Sequence, residues 1–163
     1  MTTPDIAQML DDTFASDLRY LMAVSHVVLS NNQITNRFIE REYDMPVQAW
    51  SALYAIVTFP GLRARDIQAL FPRPQNSISR AVGLLLRRGL VREETSATDG
   101  RAKQLFPTPS GADLLGRIRA KVLQRQEEMF GALNNAERET FLALCRKIVR
   151  DPGLGRSSAM PSD

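Results

Sequence analysis

Asn76, Ser77, Ser79 and Arg80 lie within five residues of one another, and Arg87 follows two helical turns further on. Together these side chains have the chemistry that duplex DNA asks for. A guanidinium donates to guanine O6 and N7, a carboxamide pairs with adenine N6 and N7, and hydroxyls reach phosphate oxygens. At about 100° per residue, Ile78, Val82 and Leu85 share one side of a helix spanning 74–89. Asn76, Arg80, Gly83 and Arg87 form the opposite stripe, with Ser77 and Ser79 on its flanks. Gly83, lacking a side chain, permits close backbone approach. A solvated helix face is also polar, so this helix alone leaves DNA reading and plain hydration both open.

Other chemistries find less support. The single His and the single Cys are far apart in sequence, which gives no zinc-type ligand spacing. No glycine-rich phosphate loop and no nucleophile elbow occur. Glu93 and Glu94 adjoin in a predicted strand, so they point to opposite faces and cannot work as a carboxylate pair. The chain is therefore expected not to be an enzyme and to need neither a metal nor a cofactor. Cys145 can make no internal disulfide and reads as a packed, inert thiol beside Leu144.

The chain has 163 residues, 44% hydrophobic and 24% charged, as ordinary globular domains do. Residues 20–36 and 45–62 lack charge but carry too many polar side chains and prolines to cross a bilayer. Residues 1–14 have no basic side chain, unlike a secretory signal, so a cytoplasmic location is expected. The formal net charge is only +3, but its distribution is uneven. Residues 63–103 hold nine basic side chains against four acids, a net of +5 that leaves −2 for the rest. A basic centre between mildly acidic ends suits a module that grips a polyanion.

Periodicity supplies the elements that would carry this surface. Ile6, Leu10, Phe14, Leu18 and Leu21 recur at the helical spacing, predicting one long bent helix over 6–43 with its irregularity at Asn31 and Asn32. Pro46 starts a second helix that runs to Thr58, with Trp50, Leu53, Tyr54 and Val57 on its apolar side. Residues 63–71 form a short helix with Ala64, Ile67, Leu70 and Phe71 on one face, then a break at 72–74 precedes the helix that Gly89 stops. Two short helices joined by a tight turn follow helix-turn-helix arithmetic. Residues 90–94 and 102–107 read as two strands of a hairpin with Asp99-Gly100 near its tip. Thr108-Pro109 opens a long helix to about residue 133, with Leu114, Leu115, Ile118, Val122 and Met129 as its stripe. A last helix covers 136–150, and the tail 151–163 is expected to lack fixed structure.

The run Asn76-Ser77-Ile78-Ser79-Arg80, then Leu85-Leu86-Arg87-Arg88-Gly89-Leu90-Val91-Arg92, resembles the multiple-antibiotic-resistance regulator (MarR) family. Asp99-Gly100-Arg101-Ala102-Lys103 and Thr108-Pro109-Ser110-Gly111 continue the likeness. The resemblance implies a mainly α fold: a winged helix-turn-helix with a two-stranded β wing and long N- and C-terminal dimerisation helices. It also implies roles. Asn76, Ser77, Ser79 and Arg80 would enter the major groove. Arg101 would reach the adjacent minor groove, Asp99 would orient it, and Lys103 would lie against the backbone. With Arg73, Gln75 and Arg87 these make the candidate DNA-contacting set. Several positions depart from the family pattern: Pro72-Arg73-Pro74 before the recognition helix, no Ser/Thr cap before Ala64, Pro107 before Thr108, and Gly83 and Leu84 where charges are common.

The expected organisation is an N-terminal dimerisation helix (1–45), a DNA-binding lobe (46–110), C-terminal dimerisation helices (111–150) and a tail (151–163). The terminal helices are too long and apolar for the small lobe to cover. A second copy would bury them, and folding back on the same chain is the other solution. A two-fold pair would set its recognition helices about 34–36 Å apart, one DNA turn, on a near-palindromic operator. The resemblance further implies a small ligand, often aromatic or phenolic, for which His26, Trp50 and Tyr54 are the candidates. Ordinary core packing is the alternative for each of the three. The rival to a DNA-binding repressor is a winged-helix module for protein contacts, which Leu84 and Leu86 would serve.

Overall fold

The computed structural model describes residues 5–71, 74–95 and 102–155. The chain divides into two compact units, Met1–Val122 and Leu123–Asp163.

The first unit begins with α1 (Ile6–Ala15) and α2 (Arg19–Tyr43), where the periodicity predicts a single bent helix. The break falls at Ser16 rather than at the asparagines. Ser16 is extended (φ −68°, ψ 169°), and its hydroxyl donates to the Thr13 carbonyl at 2.8 Å. A short side chain that bonds nearby backbone competes with the helical ladder. At Asn31 and Asn32 the helix runs on because their carboxamides are used along it. Thr35 Oγ1 donates to Asn31 Oδ1 at 2.8 Å, and Asn36 Nδ2 donates to Asn32 Oδ1 at 3.1 Å. The helix stops at Asp44, which adopts the left-handed conformation (φ 49°).

The core is built by α3 (Val47–Thr58), α4 (Ala64–Leu70), α5 (Gln75–Arg87), β1 (Val91–Thr95), β2 (Lys103–Pro107) and the start of α6 (Pro109–Met129). Ile39, Met45, Leu53, Ile56, Ile67, Ile78, Leu85, Leu105 and Ile118 are fully buried within it. Each contributes roughly 1.5–3 kcal/mol by leaving water. On α3, Leu53 is buried and Trp50 and Val57 pack against the core as expected, but small residues make up much of the inward face. Ala49, Ala52 and Ala55 line it with Leu53 and Ile56, while Tyr54 turns outward and packs edge-on against Phe71. Small residues at that spacing let α3 lie close against α5, its main partner. On α4 only Ile67 is buried, and Leu70 stays exposed. The missing Ser/Thr cap is replaced from the other direction, as Asp66 accepts the Arg63 amide at 2.8 Å.

The two strands pair antiparallel with Val91 opposite Pro107 and Thr95 opposite Lys103. A third segment joins them that the sequence reading did not anticipate. Gly61, at φ 91°, donates to the Leu105 carbonyl, and Leu105 donates to that of Leu62, both at 2.8 Å. The end of α5 is held by a left-handed glycine: Gly89 (φ 64°) donates to Leu86 at 3.0 Å, and Leu90 to Leu85 at 2.9 Å. This satisfies the orphan carbonyls of the last turn. Thr108 then ties hairpin to helix. Its hydroxyl donates to Gly89 at 2.7 Å and accepts from the Gly111 amide at 3.1 Å, while its own amide donates to Leu90 at 3.1 Å.

In the second unit, α7 (Asn135–Arg150) follows the end of α6. Asn134 and Glu137 cap it reciprocally, at 3.1 and 2.8 Å. The Phe130 and Phe141 rings pack at 5.3 Å. Arg138 donates to the Phe130 and Leu133 carbonyls and to Glu127, whose carboxyl it holds below the usual range by hydrogen bond and charge. Residues Pro152–Gly155 form a short 3-10 turn, where the sequence suggests no fixed structure, and the remainder of that tail lies outside the described residues. Among the described residues no helix is long and apolar enough to cross a membrane.

Candidate nucleic-acid interface

Helix α5 separates its two faces as its periodicity requires. Ile78, Ala81, Val82 and Leu85 are buried. Gln75, Asn76, Ser79, Arg80 and Arg87 are exposed, and Ser77 and Gly83 are half-buried. No hydrogen bond or ion pair engages Arg80 or Arg87 among the described residues, so both guanidiniums are available to an outside acceptor. A Cβ at Gly83 would lie 3.3 Å from the Arg87 guanidinium. That guanidinium is the far end of a flexible side chain, so the contact by itself does not require a glycine at this position.

Two grooves flank α5. One, of about 420 Å³, lies between Pro46, Gln48 and Ala49 of the start of α3 and Ser77, Arg80, Leu84 and Arg87 of α5. The other, of about 180 Å³, lies between Ala64, Arg65 and Gln68 of α4 and Gln75 and Ser79 of α5. Arginines, hydroxyls and carboxamides line both, and no carboxylate does.

Among the described residues, Lys103, Arg92 and Arg88 of the basic centre are engaged. Lys103 Nζ contacts Glu93 Oε2 at 2.8 Å. Arg92 pairs with Glu94 and lies 5.0 Å over the Phe106 ring. Arg88 turns away from the reading face: its guanidinium donates to the Tyr43 and Asp44 carbonyls at 2.8–3.2 Å. A cation there offsets the negative end of the α2 dipole and ties α2 to the end of α5. Sequence spacing could not show this contact, since it joins positions more than forty residues apart. Arg88→Ala is expected to lower the melting temperature by about 2–6 °C, as a loss of roughly 1–1.5 kcal/mol would do in a domain of this size. A thermal melt followed by circular dichroism measures it.

Arg73, Asp99 and Arg101 lie outside the described residues. The three ligand candidates do not share one cluster. His26 is exposed and meets Phe14 edge-on at 6.1 Å. Trp50 is half-buried and donates to Asn36 Oδ1 at 3.4 Å. Tyr54, one turn along α3 from Trp50, meets Phe71 instead. His26 is ten residues from Asn36 on α2, hence about 15 Å along that helix. Cys145 is half-buried.

A sequence model of the MarR family matches residues 43–102, which run from the end of α2 through β1 and stop just before β2. The putative transcriptional regulatory protein for the hcr operon of Thauera aromatica is 26% identical over 146 residues, covering 90% of this chain and 87% of that protein. A MarR-family transcriptional regulator from Silicibacter pomeroyi has the same fold, with a TM-score of 0.73 at 20% identity over 96% of this chain and 100% of that one. The PcaV regulator from Streptomyces coelicolor, solved with its natural ligand, gives 0.62 at 22% identity over 91% and 96% of the two chains. The helix-turn-helix followed by two paired strands, the family match over residues 43–102 and the 26% identical relative agree in making this chain similar to the MarR family of winged helix-turn-helix transcriptional regulators.

Proposed function

We propose that this regulator is a cytoplasmic repressor that binds a near-palindromic operator in double-stranded DNA as a homodimer. The observation that carries the reading is the stripe of Arg80 and Arg87 on α5, exposed and without protein partners, above a buried Ile78, Val82 and Leu85. Gln75, Asn76, Ser77 and Ser79 complete the major-groove surface, and the two grooves beside α5 receive the flanking phosphate strands. Arg73 and Arg101 extend the grip on either side, Asp99 orients Arg101, and Lys103 lies against the DNA backbone. Leu84 and Leu86 pack partly against the core, which takes them out of the outward surface that a protein-contact module would need.

The homodimer is supported by what a single chain leaves bare. Ile6, Leu18, Tyr20, Leu21, Val24 and Leu29 of the α1–α2 segment are exposed, and no residue of α2 before Thr35 is buried. In α7 no residue is buried at all, and Leu144, Ile148 and Val149 face solvent. A second copy would cover these faces. A small aromatic or phenolic ligand releases the operator by favouring a spacing of the two lobes that does not fit DNA. PcaV, which has a natural ligand, supports that expectation by likeness of fold. Trp50 and Tyr54, one turn apart on α3, are its better candidates, with His26 further off.

The test uses duplexes selected by the protein from a random library, titrated by fluorescence anisotropy beside an unselected duplex. Arg80→Ala should weaken selected DNA by about 5- to 150-fold, the worth of a bidentate base contact, and leave unselected DNA nearly unchanged. Arg101→Ala should weaken both more evenly and lower the salt slope by about one. If neither substitution changes binding, these are not the reading surfaces.

A further inference from the structure

The hairpin's strands carry four charged side chains, Arg92, Glu93, Glu94 and Lys103, and they cancel in two pairs. The register places Glu93 opposite Leu105 and Lys103 opposite Thr95, so the two meet diagonally on one face of the ribbon. Glu93 is the more sheltered partner, with 31% of its side chain exposed against 71% for Lys103. A carboxylate so held keeps its cation's charge from acting at full strength on anything outside. The α5 arginines have no such restraint.

We propose that Glu93 is a specificity determinant, acting on Lys103: it suppresses the strand's sequence-independent attraction to phosphate, so that binding depends on the reading residues of α5. This rests on the DNA-binding reading above. The physical basis is that phosphate contacts supply almost all non-specific affinity and little sequence information. A protein that discriminates gains by weakening the first without touching the second. Phosphate and Glu93 compete for one ammonium group, and the carboxylate is already in place at 2.8 Å.

Glu93→Gln removes the competing charge and keeps the side-chain shape. Binding of an unselected duplex should strengthen by about two- to fivefold, the worth of a surface ion pair, and the salt slope should steepen by about one phosphate contact. Selected DNA should gain less, so the ratio of selected to unselected affinity falls; an equal gain on both would overturn the specificity role. Placed in a Lys103→Met background, Glu93→Gln should lose most of its effect, because the cation it would release is gone. Glu93→Asp, which keeps the charge but draws it back from Nζ, should fall between wild type and Glu93→Gln. Glu94→Gln is the comparison: its partner Arg92 remains over the Phe106 ring, so its effect should be smaller. Equal gains from Glu93→Gln and Glu94→Gln, or a gain that persists without Lys103, would show general charge repulsion and overturn the proposal. So would a wild-type protein that binds duplex DNA while Glu93→Gln leaves affinity and salt slope unmoved. A wild-type protein that binds no duplex DNA would instead overturn the function proposed for the whole surface.

Discussion

Replacing Gly111 with alanine should cost the first unit about 3 kcal/mol or more, with the melting temperature falling by roughly 6–12 °C. The added Cβ would lie 1.9 Å from the Leu90 carbonyl oxygen and 2.9 Å from its carbon. Both are backbone atoms, so no rotamer change can relieve the contact. The backbone would have to separate where Thr108 donates to Leu90 and Leu90 to Leu85. Those bonds set the hairpin against the end of α5, and the displacement should reach the reading face as well. Gly116 in the same helix is the natural control, because nothing lies within 4 Å of a Cβ built there. Gly116→Ala should be neutral or stabilising by up to about 1 kcal/mol, since alanine favours the helix. Equal melting temperatures for the two variants would mean that α6 does not approach Leu90 so closely.

The second large effect concerns assembly. Leu144→Asp combined with Ile148→Asp should convert a dimer into a monomer, read by light scattering at micromolar concentration. Both side chains are more than half exposed in the single chain, so the change removes no packing from α7 itself. Burying two carboxylates against a partner copy without counter-charges would be prohibitive. Affinity for a duplex with two half-sites should fall by about 10²- to 10⁴-fold, because the second half-site would no longer be held at high effective concentration. A single half-site should bind almost as before. A double variant that stays dimeric and keeps full affinity would place the dimer contact elsewhere than on this face of α7.

These outcomes separate what composition and spacing establish from what folding adds. The inward row Ile78, Val82 and Leu85 and the outward Arg80 and Arg87 were legible on a helical wheel, because a helix of known period has its faces decided by sequence alone. The two strands of the hairpin and the stop at Gly89 were legible for the same local reason, but their register was not. In α3 the wheel placed Trp50, Leu53 and Val57 against the core but not Tyr54, because Ala49, Ala52 and Ala55 permit a closer approach than side-chain bulk suggests. The break at Ser16 was missed because one hydroxyl's bond to Thr13 outweighs a continuing apolar rhythm.

Contacts between distant segments were beyond local reading. The Thr-x-x-Gly run could be recognised as a pattern, but only the 1.9 Å approach to Leu90 says why a glycine must stand at 111. Arg88 and Lys103 count as cations in any charge sum, yet one is spent on the carbonyls of α2 and the other on Glu93. The amino-acid sequence by itself determined the helices, the hairpin and the polar stripe, all of which arise from interactions within about a dozen residues. The tertiary structure alone decided which charges remain free to act, because a cation's partner is chosen by proximity in space and a one-dimensional charge count carries no such distances.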